Sequence, residues 1–176
     1  RDLHKEYRRQ RQMCIRDRGE WSQSILEDID EVIISPGIAQ SETIVQWIRE
    51  KKIKLLSDIE LFGRYSNAPI IGITGSNGKS TVTQLLGEMA LASNLNAVMC
   101  GNIGSPVLES ISDTAELYIV ELSSYQLDYT SELDLFAGVI TNISPDHLDR
   151  YDNYEDYIAC LLYTSDAADD TPCVDL

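Results

Sequence analysis

The stretch Gly72-Ile-Thr-Gly-Ser-Asn-Gly-Lys-Ser-Thr81 constrains this chain more than any other. An apolar run, Pro69-Ile-Ile-Gly-Ile73, leads into it, and Ser80-Thr-Val-Thr-Gln-Leu-Leu-Gly-Glu-Met-Ala90, patterned like a helix, leads out. Strand, glycine-rich turn and helix in that order make the context of a phosphate loop. Glycines let backbone N–H groups approach phosphate oxygens, and the helix N-terminus adds the positive end of its dipole. Gly75, Ser76, Asn77, Gly78, Lys79, Ser80 and Thr81 are therefore the expected ATP-binding residues. Lys79 is placed to reach the β- and γ-phosphates, and the Ser80 hydroxyl to hold Mg2+. The strict spacing asks for a glycine five residues before Gly78, where this chain has Ile73. The bland alternative is a tight glycine turn before a surface helix. The Gly-Lys-Ser-Thr ending and the strand context favour the phosphate loop.

The segments around the loop read as α/β, with strands and helices in alternation. Upstream, Glu31-Val-Ile-Ile-Ser35 is a short buried-type strand and Ser35-Pro-Gly37 a turn. Ser41 is the expected N-cap of a helix carrying Ile44, Val45, Trp47 and Ile48 up to Lys52. Ile53-Lys-Leu-Leu56 is a second strand, and Ser57 with Glu60 forms a capping-box pattern. Residues 21–66 thus resemble the later part of a Rossmann-like domain. Downstream, Ala97–Cys100, Leu117–Leu122 and Phe136–Thr141 are three more strands, and a helix is expected from about Pro106. The strand ends Thr74, Gly101, Glu121 and Asn142 converge on one edge, where open parallel sheets bind ligands. The fold class is a partial parallel-sheet P-loop ATPase domain, residues 67–159, preceded by that partial Rossmann-like domain.

Composition narrows the function. The chain carries a net charge of −15, of which residues 1–20 hold +3 and residues 160–176 hold −4, leaving −14 between them. Such a surface repels nucleic acid and anionic lipid. No apolar run approaches the length of a membrane span and no leader pattern is visible, so a soluble cytoplasmic protein is expected, and separately a monomer. Cys14, Cys100, Cys160 and Cys173 show no metal-ligand spacing and point to a reduced compartment. Arg11-Gln-Met-Cys-Ile-Arg-Asp-Arg18 and Leu161-Leu-Tyr-Thr-Ser-Asp-Ala-Ala-Asp-Asp170 resemble translated adapter sequence. Residues 1–20 and 160–176 are accordingly read as foreign to the fold.

Three residues beyond the loop have the chemistry for a nucleotide site. Glu121 closes an apolar strand and either reaches Mg2+ or caps the next helix. His147, in Asn142-Ile-Ser-Pro-Asp-His-Leu-Asp-Arg150, either meets a metal or phosphate or is a solvated loop histidine. Asn102, between Gly101 and Ile103-Gly104, reads on chemistry alone as a left-handed turn residue. The scattered tyrosines 118, 125, 129, 151, 154 and 157 read as core and rim packing.

Taken together, Thr74–Thr81, Gly101-Asn-Ile-Gly104, Glu121-Leu-Ser-Ser-Tyr-Gln-Leu127 and Asn142–Arg150 resemble the Mur ligases of peptidoglycan synthesis, over about residues 24–159. That family's phosphate loop has this glycine pattern. The run Glu121–Leu127 looks most like the branch that joins D-glutamate to UDP-N-acetylmuramoyl-L-alanine. The resemblance implies ATP and Mg2+ as cofactors and an acyl-phosphate route to an amide. It implies that Lys79 and His147 are catalytic, that Ser80, Thr81, Glu121 and His147 hold metal, and that Asn102 and Ser123 contact the muramoyl-alanine substrate. Ser35, Pro36 and Gly37 would lie near the uridine. The family's metal-bridging lysine, expected soon after Tyr157-Ile-Ala159, is absent here, so the chain by itself is expected to be inactive. The alternatives are a related Mur ligase, a folylpolyglutamate synthase, or a non-catalytic P-loop nucleotide-binding module.

Overall fold

Short branched runs upstream of residue 67 form a two-stranded parallel sheet. In the computed structural model, which describes residues 22–168, β1 (Glu31–Ile33) pairs with β2 (Lys54–Leu56) so that Val32 faces Leu55. The stretch 1–20, His4, Cys14, Cys173 and the end of the 160–176 tail lie outside the described residues. The crossover from β1 to β2 is α1 (Thr43–Glu50), whose Ile44, Val45 and Ile48 are buried with Leu26 and Ile34. Ser41 is not its cap. The chain first closes a turn from Glu42 N–H to Ala39 O at 3.1 Å, so the helix starts one residue later than the Ser41 reading, at the Glu42 cap. In α2 (Asp58–Tyr65) the Ser57 hydroxyl does cap the Glu60 N–H, at 3.0 Å. The return half of the box is missing, because the Glu60 carboxylate instead accepts from Ser131 N–H at 2.7 Å.

The second sheet holds four strands, all parallel, in the order β4-β5-β3-β6. They are β3 (Ile70–Thr74), β4 (Ala97–Gly101), β5 (Leu117–Glu121) and β6 (Ala137–Ile140). Between β3 and β4 runs α3 (Lys79–Ala92); α4 (Ser124–Leu127) follows β5, and α5 (Tyr154–Asp166) comes last. Period-two alternation sorts the strand residues between two cores. Tyr118, Val120 and Leu122 join Ile59 and Phe62 on one face, where the Phe62 and Tyr118 rings meet edge-on at 4.9 Å. Ile73 and Ile119 join Ala90, Val82 and Leu86 of α3 on the other. Each such fully buried side chain is worth about 1.5–3 kcal/mol. Glu121, in phase with Ile119, therefore belongs to the face that α3 covers. The chain enters β4 and β5 on one side of β3 and β6 on the other. That places β3 at the switch point of the sheet, with the glycine loop at its carboxyl end.

One expectation changes here. The helix expected from Pro106 is only a 3-10 turn, Val107–Ser110. Ser112 and Thr114 offer the backbone competing partners, such as Thr114 N–H to Ser112 Oγ at 3.3 Å. Residues from 160 onward continue α5 to Asp166, with Leu161 and Thr164 fully buried. Cys100 and Cys160 are free thiols, and burial pushes Cys100 up to about 11.

Gly101 ends β4 at φ +115°, and a Cβ there would lie 2.3 Å from the Glu121 carbonyl oxygen. Neither atom is on a flexible side chain, so Gly101→Ala should cost about 2 kcal/mol or more. A thermal melt should fall by at least about 5 °C. An unchanged melt would contradict the close approach of the β4 and β5 ends.

Candidate functional site

The site is built on the loop between β3 and α3. Gly75 sits at φ +128°, where a Cβ would also lie 2.3 Å from Thr141 Oγ1, and Gly78 at φ +85° turns the chain into the helix. Ile73, the residue at the position of the missing glycine, is a fully buried strand residue, so the turn begins two residues later. The segment after β6 grips the loop. Ser76 N–H donates to Asn142 O at 2.9 Å, and Asn77 N–H to Asn142 Oδ1 at 3.1 Å. Asn142 Nδ2 returns a bond to Asn77 O at 2.7 Å. Ser76 Oγ accepts from Ser144 N–H and meets Tyr157 OH, each at 2.9 Å. Ser76 and Asn77 thus spend their N–H groups on Asn142. The donors left for an anion are those of the first helical turn, Lys79, Ser80 and Thr81, which lack intrahelical acceptors.

Lys79 folds back on its own loop, with Nζ donating to Gly75 O at 2.6 Å and Ser76 O at 3.2 Å. The ammonium is thereby parked over the turn that a phosphate would enter. Ser80 and Thr81 are exposed.

Glu121 is 1% exposed. Its Oε1 accepts from Asn102 Nδ2 at 3.0 Å, and its Oε2 has no hydrogen-bond partner among the described residues. It does not cap the next helix. That duty falls to Ser123, whose hydroxyl takes the Gln126 N–H while Gln126 Oε1 takes the Ser123 N–H at 3.0 Å. Asn102 is not a left-handed residue either. The positive φ values fall on its neighbours, Gly101 and Gly104, and this frees the asparagine side chain to reach Glu121. A buried carboxylate oxygen without a donor is costly, and a hard cation is the partner that best satisfies it. The residues present therefore fit Mg2+ held jointly by protein and phosphate oxygens. Among the described residues no cluster of three or more His, Cys, Asp or Glu could hold a metal by itself.

A cleft of about 480 Å³ joins these parts, lined by Pro36, Gly75, Lys79, Gly101, Asn102, Ser123, Tyr125, His147 and Tyr157. It draws Pro36 of the upstream unit onto the same hollow as the loop lysine. Ser35 and Gly37 flank Pro36 without lining the cleft, and Glu121 stands one hydrogen bond behind its wall. His147 is exposed at φ +53°, its Nδ1 3.2 Å from Tyr125 OH and the two rings 4.8 Å apart. A larger hollow of about 720 Å³ lies beyond, walled by Arg49, Asp128 and Arg150, without a glycine loop. Sequence reasoning missed Asn142 and Tyr157 as holders of the loop. The polar Asn142-Ile-Ser motif directly after a strand was the available signal for the first.

Asn142→Ala removes both side-chain bonds to Asn77 while sparing the sheet. Affinity for ADP should fall about tenfold, in line with one lost bidentate contact of a few kcal/mol at most, with the fold intact by circular dichroism. Unaltered affinity would mean that Asn142 does not hold the loop for its ligand.

The Mur ligase middle domain model matches residues 73–162. The UDP-N-acetylmuramoylalanine--D-glutamate ligase of Pseudomonas savastanoi pv. phaseolicola is 47% identical over 139 residues, 79% of this chain and 31% of that protein. The enzyme of the same name from Vibrio parahaemolyticus is 46% identical over 152 residues, 86% of this chain and 35% of that protein. Its namesake from Coxiella burnetii is 45% identical over 141 residues, 80% and 32% of the two chains. The chain spans about a third of the length of these relatives. Among solved structures, a UDP-N-acetylmuramoyl-L-alanyl-D-glutamate--2,6-diaminopimelate ligase aligns over 90% of this chain and 49% of its own, at 14% identity and a TM-score of 0.45. No helix among the described residues is long and apolar enough to cross a membrane. The chain belongs to the Mur ligase family, whose middle domain it carries between residues 73 and 162.

Proposed function

We propose that this chain is the nucleotide-binding part of an ATP-dependent ligase that joins D-glutamate to UDP-N-acetylmuramoyl-L-alanine in peptidoglycan synthesis. The observation that carries the reading is the buried, unpartnered Oε2 of Glu121 at a strand end beside the loop of Lys79. The names of the relatives supply the substrates. The protein's share of the chemistry is positioning and charge. Phosphate oxygens of ATP would sit on the free N–H groups at the start of α3, where the helix dipole favours them. Lys79 would exchange the Gly75 and Ser76 carbonyls for the transferred phosphoryl group, meeting charge as it develops.

Ser80 or Thr81 together with Glu121 would hold one Mg2+, and His147 would face a second. Bound there, Mg2+ neutralises the phosphate oxygens and polarises the phosphorus. The substrate carboxylate attacks the γ-phosphorus, ADP leaves, and an acyl phosphate forms. The amine of D-glutamate then adds to the acyl carbon and loses a proton, and inorganic phosphate departs from the tetrahedral centre. Asn102 and Ser123 would face the muramoyl-alanine end of the substrate, and the Ser35–Gly37 turn its uridine end.

Calorimetric titration with ADP and Mg2+ should give saturable binding that Lys79→Ala abolishes. Equal heats from both proteins would remove the phosphate loop from the account.

A further inference from the structure

Arg150 stands outside the cleft that holds Lys79, yet three parts of the chain meet on its guanidinium. Its Nε donates to Asp128 Oδ2 at 2.9 Å, and the two side chains are only 9% and 5% exposed. Its Nη2 donates to Ile38 O at 3.3 Å, a carbonyl that also takes Tyr129 OH at 2.8 Å. Its Cζ lies 4.0 Å from the centre of the Tyr125 ring. Beyond Tyr125 comes His147, whose Nδ1 is 3.2 Å from the tyrosine hydroxyl. The Arg150 N–H also closes a turn on His147 O at 2.9 Å, around a histidine at φ +53° that non-glycine residues rarely adopt.

Stability alone does not call for this arrangement. Burying an ion pair costs desolvation that the mutual attraction only roughly offsets, and apolar residues of the same volume serve as well. What an apolar pair lacks is direction. A guanidinium offers an edge to a carboxylate, a free N–H to a carbonyl and a flat face to an aromatic ring at the same time. An ammonium has one centre and no face, so lysine satisfies at most part of the set. Desolvation also strengthens the contact between the cation and the Tyr125 ring.

The geometry points to Arg150 as a positioning residue. One planar cation, anchored on Asp128, sets His147 through the face of Tyr125 and the Ser35–Gly37 turn through the Ile38 carbonyl. The two loops that bring Pro36 and His147 to the cleft of Lys79 are therefore registered to each other by a side chain that stands outside that cleft. Its functional consequence rests on the ligase reading, in which His147 faces the metal–nucleotide complex.

The test uses the whole chain. It has two histidines, His4 and His147, so its imidazole Cε1–H spectrum is simple. Arg150→Lys should move the His147 signal toward that of a free histidine, and Tyr125→Leu, which leaves the Arg150–Asp128 pair in place, should move it in the same direction. In both variants the Mg2+ concentration that half-saturates ADP binding should rise about tenfold, as when other outer partners of a metal site are removed. A folded Arg150→Lys protein with an unmoved His147 signal overturns the proposal. If Arg150→Lys fails to fold, Asp128→Asn, which takes the charge from the anchor of Arg150 and leaves Tyr125 against His147, decides on the same criterion. If the unaltered chain binds no ADP, the nucleotide reading fails, while the His147 signal still decides whether Arg150 positions it.

Discussion

Everything at the site depends on the parallel register of β3 between β5 and β6. Ile73 lies opposite Glu121 on one side and Val139 on the other. Because all the strands run the same way, their carboxyl ends gather at one edge. The turn after β3 thus emerges between a carboxylate from β5 and an amide from β6. One side supplies Glu121 and, through it, Asn102; the other supplies Asn142, which clasps the backbone of Asn77 from both ends. Shifting either neighbour by one residue would carry its polar terminus to the wrong face, since strand side chains alternate.

The charge balance of the site follows from that layout. A chain this acidic would ordinarily repel a polyphosphate, so the proposed nucleotide site would need local features that outweigh the net field. Those features are short-range: the N–H groups at the start of α3, the Lys79 ammonium and, when present, a cation on Glu121. Lys79 resting on the Gly75 and Ser76 carbonyls keeps its ammonium paired, and a phosphate would have to draw it off them. The Glu121 oxygen without a donor among the described residues is the converse, a local cost that the proposed cation would remove. Functional sites commonly break the rule that buried polar groups are satisfied, and here the break falls where the strand ends converge.

Local pattern carried much of this into the sequence. The strand, glycine turn and helix are encoded within about twenty residues, and Leu117–Leu122 read as a buried strand because it is a short, nearly continuous apolar run. Glu121 and His147 were legible because each ends or follows an apolar run. What stayed hidden needed partners far along the chain. Glu60 was expected to complete a capping box and instead binds Ser131, and Asn102 was expected to be a turn residue and instead binds Glu121. The tyrosines were read as packing, which is right for Tyr118. Tyr157 is equally buried but also holds Ser76 of the loop, and Tyr125 sits between Arg150 and His147. No period in the sequence announces a hydroxyl meeting a loop 81 residues away.

The most direct test of the central claim is an amide-resolved NMR titration of the chain with ADP and Mg2+. The account predicts that the largest shifts fall on Gly78–Thr81, with Asn142 and Glu121 following as the loop tightens and the cation arrives. Shifts concentrated instead on Arg49, Asp128 and Arg150, in the larger hollow beyond Tyr125, would contradict it.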